Sequence, residues 1–101
     1  MKKISTCCFI QINFTDIEQT GNHLDLITKL KNSKIFDSII LGAADIPENK
    51  VIVEYAKNLN VSCFLGNTFD ISKRMLECCE KFDIDIICRI LINWFYVDIS
   101  L

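Results

Sequence analysis

Three things are missing from this chain of 101 residues, and each absence removes a class of function. The first is a cluster of one charge. The 11 basic and 13 acidic residues are scattered and leave a net charge of −2, which builds no electrostatic footprint for nucleic acid or anionic lipid. The second is a long apolar run. The longest, Ile84 to Val97, is interrupted by Asp85, Arg89 and Asn93, whereas a membrane-crossing helix needs about 20 apolar residues. Basic Met1-Lys2-Lys3 leads into a stretch interrupted by Ser5, Thr6, Gln11 and Asn13, not into the unbroken apolar core of a secretory leader. A cytoplasmic location is therefore expected. The third is a linker: with 3 glycines, 1 proline, no low-complexity tract and no internal repeat, residues 1–101 read as a single domain.

Half the residues are apolar, enough for an ordered core and too many for disorder. Six cysteines stand out: Cys7, Cys8, Cys63, Cys78, Cys79 and Cys88. Zinc ligands come in pairs spaced across a tight turn. Here two pairs are adjacent in sequence, and adjacent strand residues point to opposite faces. Cys7, Cys63 and Cys88 fall in strands expected to be buried, where cysteine acts as a small hydrophobe. The lone histidine, His23, has no Ser or Cys nucleophile at a recognisable spacing, so a solvated or capping role is expected of it.

Periodicity divides the chain. Ile4 to Ile12 is a short, β-rich first strand, and Asn13 to Asn22, with Gly21, reads as a loop. Leu24, Ile27 and Leu30 recur at helical spacing, with Asp25 early and Lys29, Lys31 and Lys34 late, an order that suits the helix dipole. Phe36 to Leu41 is a second strand, ended by Gly42-Ala43-Ala44. Asp45-Ile46-Pro47-Glu48 opens a helix, with Asp45 or a neighbour as cap, which runs on Val51, Ile52, Tyr55, Ala56 and Leu59. Val61 to Leu65 is a third strand. Gly66-Asn67-Thr68 turns the chain, and Thr68 or Asp70 caps a helix that buries Ile71, Met75, Leu76, Cys78 or Cys79, and Phe82. Ile84 to Leu91 is a fourth strand and Trp94 to Ile99 a short fifth. Strands alternating with helices imply βαβ units: a three-layer αβα domain with a mainly parallel, Rossmann-like sheet.

Three blocks of the chain resemble the cytidylyltransferases of cell-surface polysaccharide biosynthesis, in particular the spore-coat type, relatives of the enzymes that make CMP-activated acidic sugars. The first is Leu30-Lys31-Asn32-Ser33-Lys34-Ile35-Phe36-Asp37-Ser38-Ile39-Ile40. The second is Asp45-Ile46-Pro47-Glu48-Asn49 with Glu54 and Leu59-Asn60-Val61. The third is Gly66 through Arg74, followed by Asp85-Ile86-Ile87-Cys88-Arg89-Ile90. Together they span about residues 30 to 90. The resemblance implies a nucleotide-diphospho-sugar-transferase-like fold, CTP or a nucleotide sugar as ligand, and Mg²⁺ as cofactor if transfer survives. It places nucleotide or sugar contacts on Gln11, Asp45, Arg74 and Arg89, and a metal contact on Asp98.

The chain departs from the family pattern at both ends. After Gln11 the family has a glycine-rich loop with Ser, Arg and Lys, which holds phosphates on backbone N–H groups and neutralises them. Here Ile12-Asn13-Phe14-Thr15 follows, with no basic residue or glycine run. Asn93 stands where the family has its first metal-binding Asp, and an amide is a poorer Mg²⁺ ligand than a carboxylate. The chain then stops short of the family's sugar-binding and dimerisation segments. The expected function is thus a truncated, degenerate cytidylyltransferase-like protein, with weak or no transfer alone. The alternative is a non-catalytic module that dimerises, or docks on a glycan-biosynthesis enzyme, through Trp94, Phe95 and Tyr96.

Bland roles stand beside the sharp ones. Asp45 and Asp70 serve as helix caps without any ligand, Arg74 reads as a helix-surface residue, and Arg89 as the partner of a carboxylate.

Overall fold

A computed structural model describes residues 3–17 and 23–92, with the backbone alone described at 23 and 24. The expected fifth strand at Trp94–Ile99 lies outside the described residues, as does the side chain of His23. Strand β1 (Thr6–Gln11) leads into a one-turn helix α1 (Phe14–Ile17), then α2 (His23–Ser33) and β2 (Ser38–Ala44). A 3-10 turn (Pro47–Asn49) opens onto α3 (Lys50–Leu59), followed by β3 (Ser62–Gly66), α4 (Ile71–Phe82) and β4 (Ile86–Leu91).

The strands lie in the order β3-β2-β1-β4, and each adjacent pair is parallel. The chain steps from β1 to β2 to β3, then crosses back to place β4 on the far side of β1. Right-handed crossovers send the first two connections over one face and the last over the other. The core splits accordingly. On one face Leu26, Ile27 and Leu30 of α2 and Ile52 and Ala56 of α3 bury Cys8, Ile10, Leu41 and Ala43. On the other, Cys78 of α4 packs with Cys7, Phe9, Ile40 and Phe64. Adjacent Cys7 and Cys8 thus face opposite ways and are both fully buried, because β1 has helices over both faces.

β2 runs through Gly42-Ala43-Ala44 and ends at Ala44, where the sequence suggested an end at Leu41, and it starts at Ser38 rather than Phe36. Glycine at 42 reads locally as a breaker. Its role is tertiary: the Phe9 ring lies across it, and a Cβ there would sit 1.9 Å from the ring's Cζ. Asp37, expected in the strand, pins its approach instead, its carboxylate accepting the Thr6 N–H at 2.9 Å.

Asp70 caps α4, its Oδ1 accepting from Lys73 N at 3.2 Å, and Asp83 ends that helix in the left-handed conformation. Asn60 ends α3 in the same way. The buried face of α4 differs from expectation. Arg74 and Cys78 are buried and Ile71, Met75 and Cys79 half-buried, while Leu76 is 58% exposed and Phe82 37%. Leu76 stands two residues from both Arg74 and Cys78, so at about 100° per residue it projects from the opposite side.

β4 departs most from its expected buried state. Ile86 is 54% exposed and Cys88 is exposed, while Cys63 on β3 is half-buried. β4 is an edge strand among the described residues, and an edge lacks the second neighbour that would cover it. No described helix is long and apolar enough to cross a membrane.

Candidate functional site

An open α/β sheet binds ligands outside the carboxyl ends of its strands, where the strand order reverses. Here that point lies between β1 and β4. Gln11 and Leu91, the last residues of the two strands, are register partners. A groove at this end is lined by Gln11, Ile12, Asn13, Asp16, Leu91 and Ile92.

Strand alternation places Gln11 and Arg89 on the α4 face of the sheet, on neighbouring strands. Arg89 Nη1 donates to Gln11 Oε1 at 3.3 Å. Two of the residues singled out in the sequence are therefore joined at the switch point, and the partner of Arg89 is an amide rather than the carboxylate expected of a structural pairing.

The turn after β1 is closed on itself. Asn13 caps α1: its Oδ1 accepts from Phe14 N at 2.9 Å, and Asp16 Oδ2 accepts from Asn13 N at 2.7 Å. Asp16, three positions on, satisfies the N–H of the cap residue as in one half of a capping box, while the Asn13 side chain bonds the first helical N–H rather than that of Asp16. Asn49, buried to 1% exposure, adds a second acceptor for Phe14 N at 2.9 Å and donates Nδ2 to Ala44 O at 2.9 Å. It therefore ties the exit of β1 to the exit of β2. Neither Asn49 nor Asp16 was singled out in the sequence, although both left a signal. Asn49 shares a helical face with buried Ile52 and Ala56, and Asp16 follows Asn13 at the capping-box interval.

Asp45 belongs to a second groove, outside the ends of β2 and β3, lined with Phe64, Leu65, Gly66, Asn67, Thr68 and Glu77. It is not a cap. Ile46 precedes the 3-10 turn and Asn49 precedes α3, and neither makes a side-chain capping bond. The exposed Asp45 side chain is set by its backbone, whose N–H donates to Gly66 O at 2.8 Å.

Arg74 is neither a surface residue nor in the first groove. It is buried, and its Nε and Nη2 donate to the carbonyls of Asn67 (2.9 Å) and Thr68 (3.4 Å). Burial pulls its pKa below the ordinary arginine value, and neighbouring Glu77 opposes that shift. Glu77 Oε1 accepts from Asn67 N at 2.8 Å, and Asn67 Oδ1 accepts from Asp70 N at 2.9 Å. Arg74 and Glu77 thus fix the loop that walls the second groove, whatever else they contact.

The fit to Mg²⁺ can be tested on the chemistry of the donors. Magnesium takes one or two carboxylates plus substrate oxygens. The first groove supplies Asp16, whose Oδ2 already holds Asn13 N, and no cluster of three or more metal-ligating side chains occurs among the described residues. Asp98 lies outside them.

No family model and no curated protein matches the chain. Among solved structures, a cytidylyltransferase from Leptospira borgpetersenii serovar Hardjo-bovis (strain JB197) superposes with a TM-score of 0.73 at 22% identity. The match covers 92% of this chain and 42% of that one, so this chain spans less than half of its neighbour's length. Strand order, parallel register and switch-point groove together make this a cytidylyltransferase-like α/β fold.

Proposed function

We propose that this chain is a degenerate cytidylyltransferase-like protein linked to cell-surface polysaccharide synthesis, with weak or no nucleotidyl transfer by itself. The carrying observation is the closed turn after β1. In that place the resembled enzymes have a phosphate-binding loop, whose function requires outward N–H groups and positive charge. Here Asn13, Asp16 and Asn49 supply three acceptor oxygens to the turn's own donors, and Asp16 brings a negative charge to the groove. Nucleotidyl transfer depends on positioning and on charge neutralisation, and the turn opposes both. What favours a residual nucleotide or sugar contact is the Gln11–Arg89 pair at the switch point.

The test is a calorimetric titration with CTP and Mg²⁺, paired with an assay for pyrophosphate release. The expected outcome is binding no tighter than millimolar and no release of pyrophosphate. Micromolar binding that weakens in Arg89→Ala would show a working nucleotide crevice and overturn the degenerate reading.

A second reading is a non-catalytic module that docks on a glycan-biosynthesis enzyme. Its favoured anchors, Trp94, Phe95 and Tyr96, lie outside the described residues. The exposed Ile86 and Cys88 favour an interface on that side of the sheet.

A further inference from the structure

We infer that Cys8 and Cys88 form a reversible clamp between β1 and β4, closed into a cross-strand disulfide by a low-molecular-weight disulfide such as oxidised glutathione. Three observations carry this, and none depends on the CTP reading.

The first is placement. Of the six free cysteines, only Cys8 and Cys88 are register partners on hydrogen-bonded strands. The Gln11–Arg89 bond puts odd-numbered residues of both strands on the α4 face, so Cys8 and Cys88 share the other face. Neighbouring strands run about 4.8 Å apart, inside the Cα separation of about 4.4–6.8 Å that disulfides span. Electrostatics agree: after burial, the strongest influence on the Cys8 thiol is Cys88. Cys63 is excluded as a partner, because β2 lies between it and β1.

The second is a division of access. Cys88 is exposed and Cys8 is 0% exposed. Cys88 can therefore meet an oxidant from solution, while Cys8 reaches only a sulfur already attached to Cys88. Cys7 and Cys78 pack in one cluster on the α4 face, but both are fully buried and neither can take the first step.

The chemistry runs in two exchanges. The Cys88 thiolate attacks one sulfur of oxidised glutathione, the old S–S bond breaks, and one glutathione thiolate leaves. Cys8 then gives up its proton and attacks the Cys88 sulfur, expelling the second glutathione thiolate, which is protonated. Two protein thiols are oxidised to one disulfide, and one small disulfide is reduced to two thiols.

The third is the give in β4. Side chains in register on parallel strands project side by side, so their Cβ atoms stand about 1 Å farther apart than in a relaxed disulfide. Closing the bond draws β4 toward β1, and β4 has one neighbouring strand among the described residues to hold it. A bond closed under such strain is readily reduced, which makes it a switch rather than a permanent staple. It forms one position before Arg89, and so fixes the strand that presents Arg89 to Gln11.

Oxidised glutathione added to the folded chain tests the clamp. After an acid quench, the chain is unfolded, alkylated, digested without reductant and read by mass spectrometry. The expected product joins the Cys8 and Cys88 peptides, carries two fewer alkyl labels than the six of the reduced chain, and reverts in excess reduced glutathione. Cys88→Ser, at an exposed position, should fold normally and leave Cys8 fully alkylated. Cys8→Ala should instead hold glutathione on Cys88 as a stable mixed disulfide. Thermal melts confirm that each variant folds, and should Cys8→Ala fail to, the wild type and Cys88→Ser decide between them. A wild type that keeps glutathione on Cys88 with Cys8 alkylated overturns the inference. So does a Cys88 that does not react, or a disulfide that joins any other pair.

Discussion

β1 and β4 lie side by side, in register over their full six residues, yet they live in different environments. Both are short, apolar and cysteine-bearing, and Cys8 of one is the register partner of Cys88 of the other. Cys8 is fully buried and Cys88 is exposed. β1 has a strand on each side and helices over both faces. Among the described residues β4 has one neighbouring strand, and its Ile86, Cys88 and Arg89 are exposed. Position in the sheet order, not the make of the strand, decides burial. The same position puts Gln11 and Arg89 at the switch point, where a central strand meets the strand that forms the edge among the described residues.

The sharpest way to break this contrast is truncation on each strand. Phe9→Ala should cost about 3–5 kcal/mol, the range for emptying a packed aromatic site, because the ring is fully buried against Gly42. Ile86→Ala should cost under about 1 kcal/mol, being more than half exposed. Denaturant unfolding reads both. Equal losses, measured at a concentration where the chain is monomeric, would mean that β4 is covered in solution.

Asn49→Ala comes next, with an expected loss of about 1–3 kcal/mol for removing two hydrogen bonds worth about 0.5–1.5 kcal/mol each. It leaves Ala44 O without this donor and Phe14 N with Asn13 as its remaining partner. Amide exchange at Phe14 should accelerate while β4 amides stay unchanged, which separates the clamp on β1 from the edge strand.

The smallest effect is in the response to alkali. Burial pushes the Cys8 thiol up to about 12 from an ordinary 9.0. The unfolded chain therefore gives up this proton above pH 9 while the folded chain keeps it. Stability is fully present below about pH 9 and falls as pH rises toward 12, at up to about 1.4 kcal/mol per pH unit for one thiol. Melting temperatures taken between pH 8 and pH 10.5 should fall more steeply in the wild type than in Cys8→Ala.

What the sequence disclosed follows from which signals are local. The alternation of strands and helices, the Asp70 cap and the parallel sheet were all legible, because periodicity and capping act within a few residues. Gly42 was misread because its reason is the Phe9 ring, 33 positions back in the chain. The exposure of Cys88 and the burial of Arg74 were misread for the same cause: edge position and loop carbonyls are set by topology. Of the candidate site, the Gln11–Arg89 pairing emerges from strand order alone. Asn49 went unnoticed because a polar residue beside a helix start is ordinarily read as a cap and not as a clamp between two strands.

The groove at the head of β1 and β4 owes its location to connectivity: it lies where successive crossovers part to opposite faces of the sheet. No single side chain makes it: Ile12 and Ile92 of the buried core form its floor, and Gln11, Asn13 and Asp16 bring the polar groups. The polar residues there stand outside the core, so a lineage or an engineer can rewrite the chemistry at this spot at the cost of local turn contacts and without re-solving the fold. The winding of the chain supplies a fixed address, and what is delivered there is left free to change.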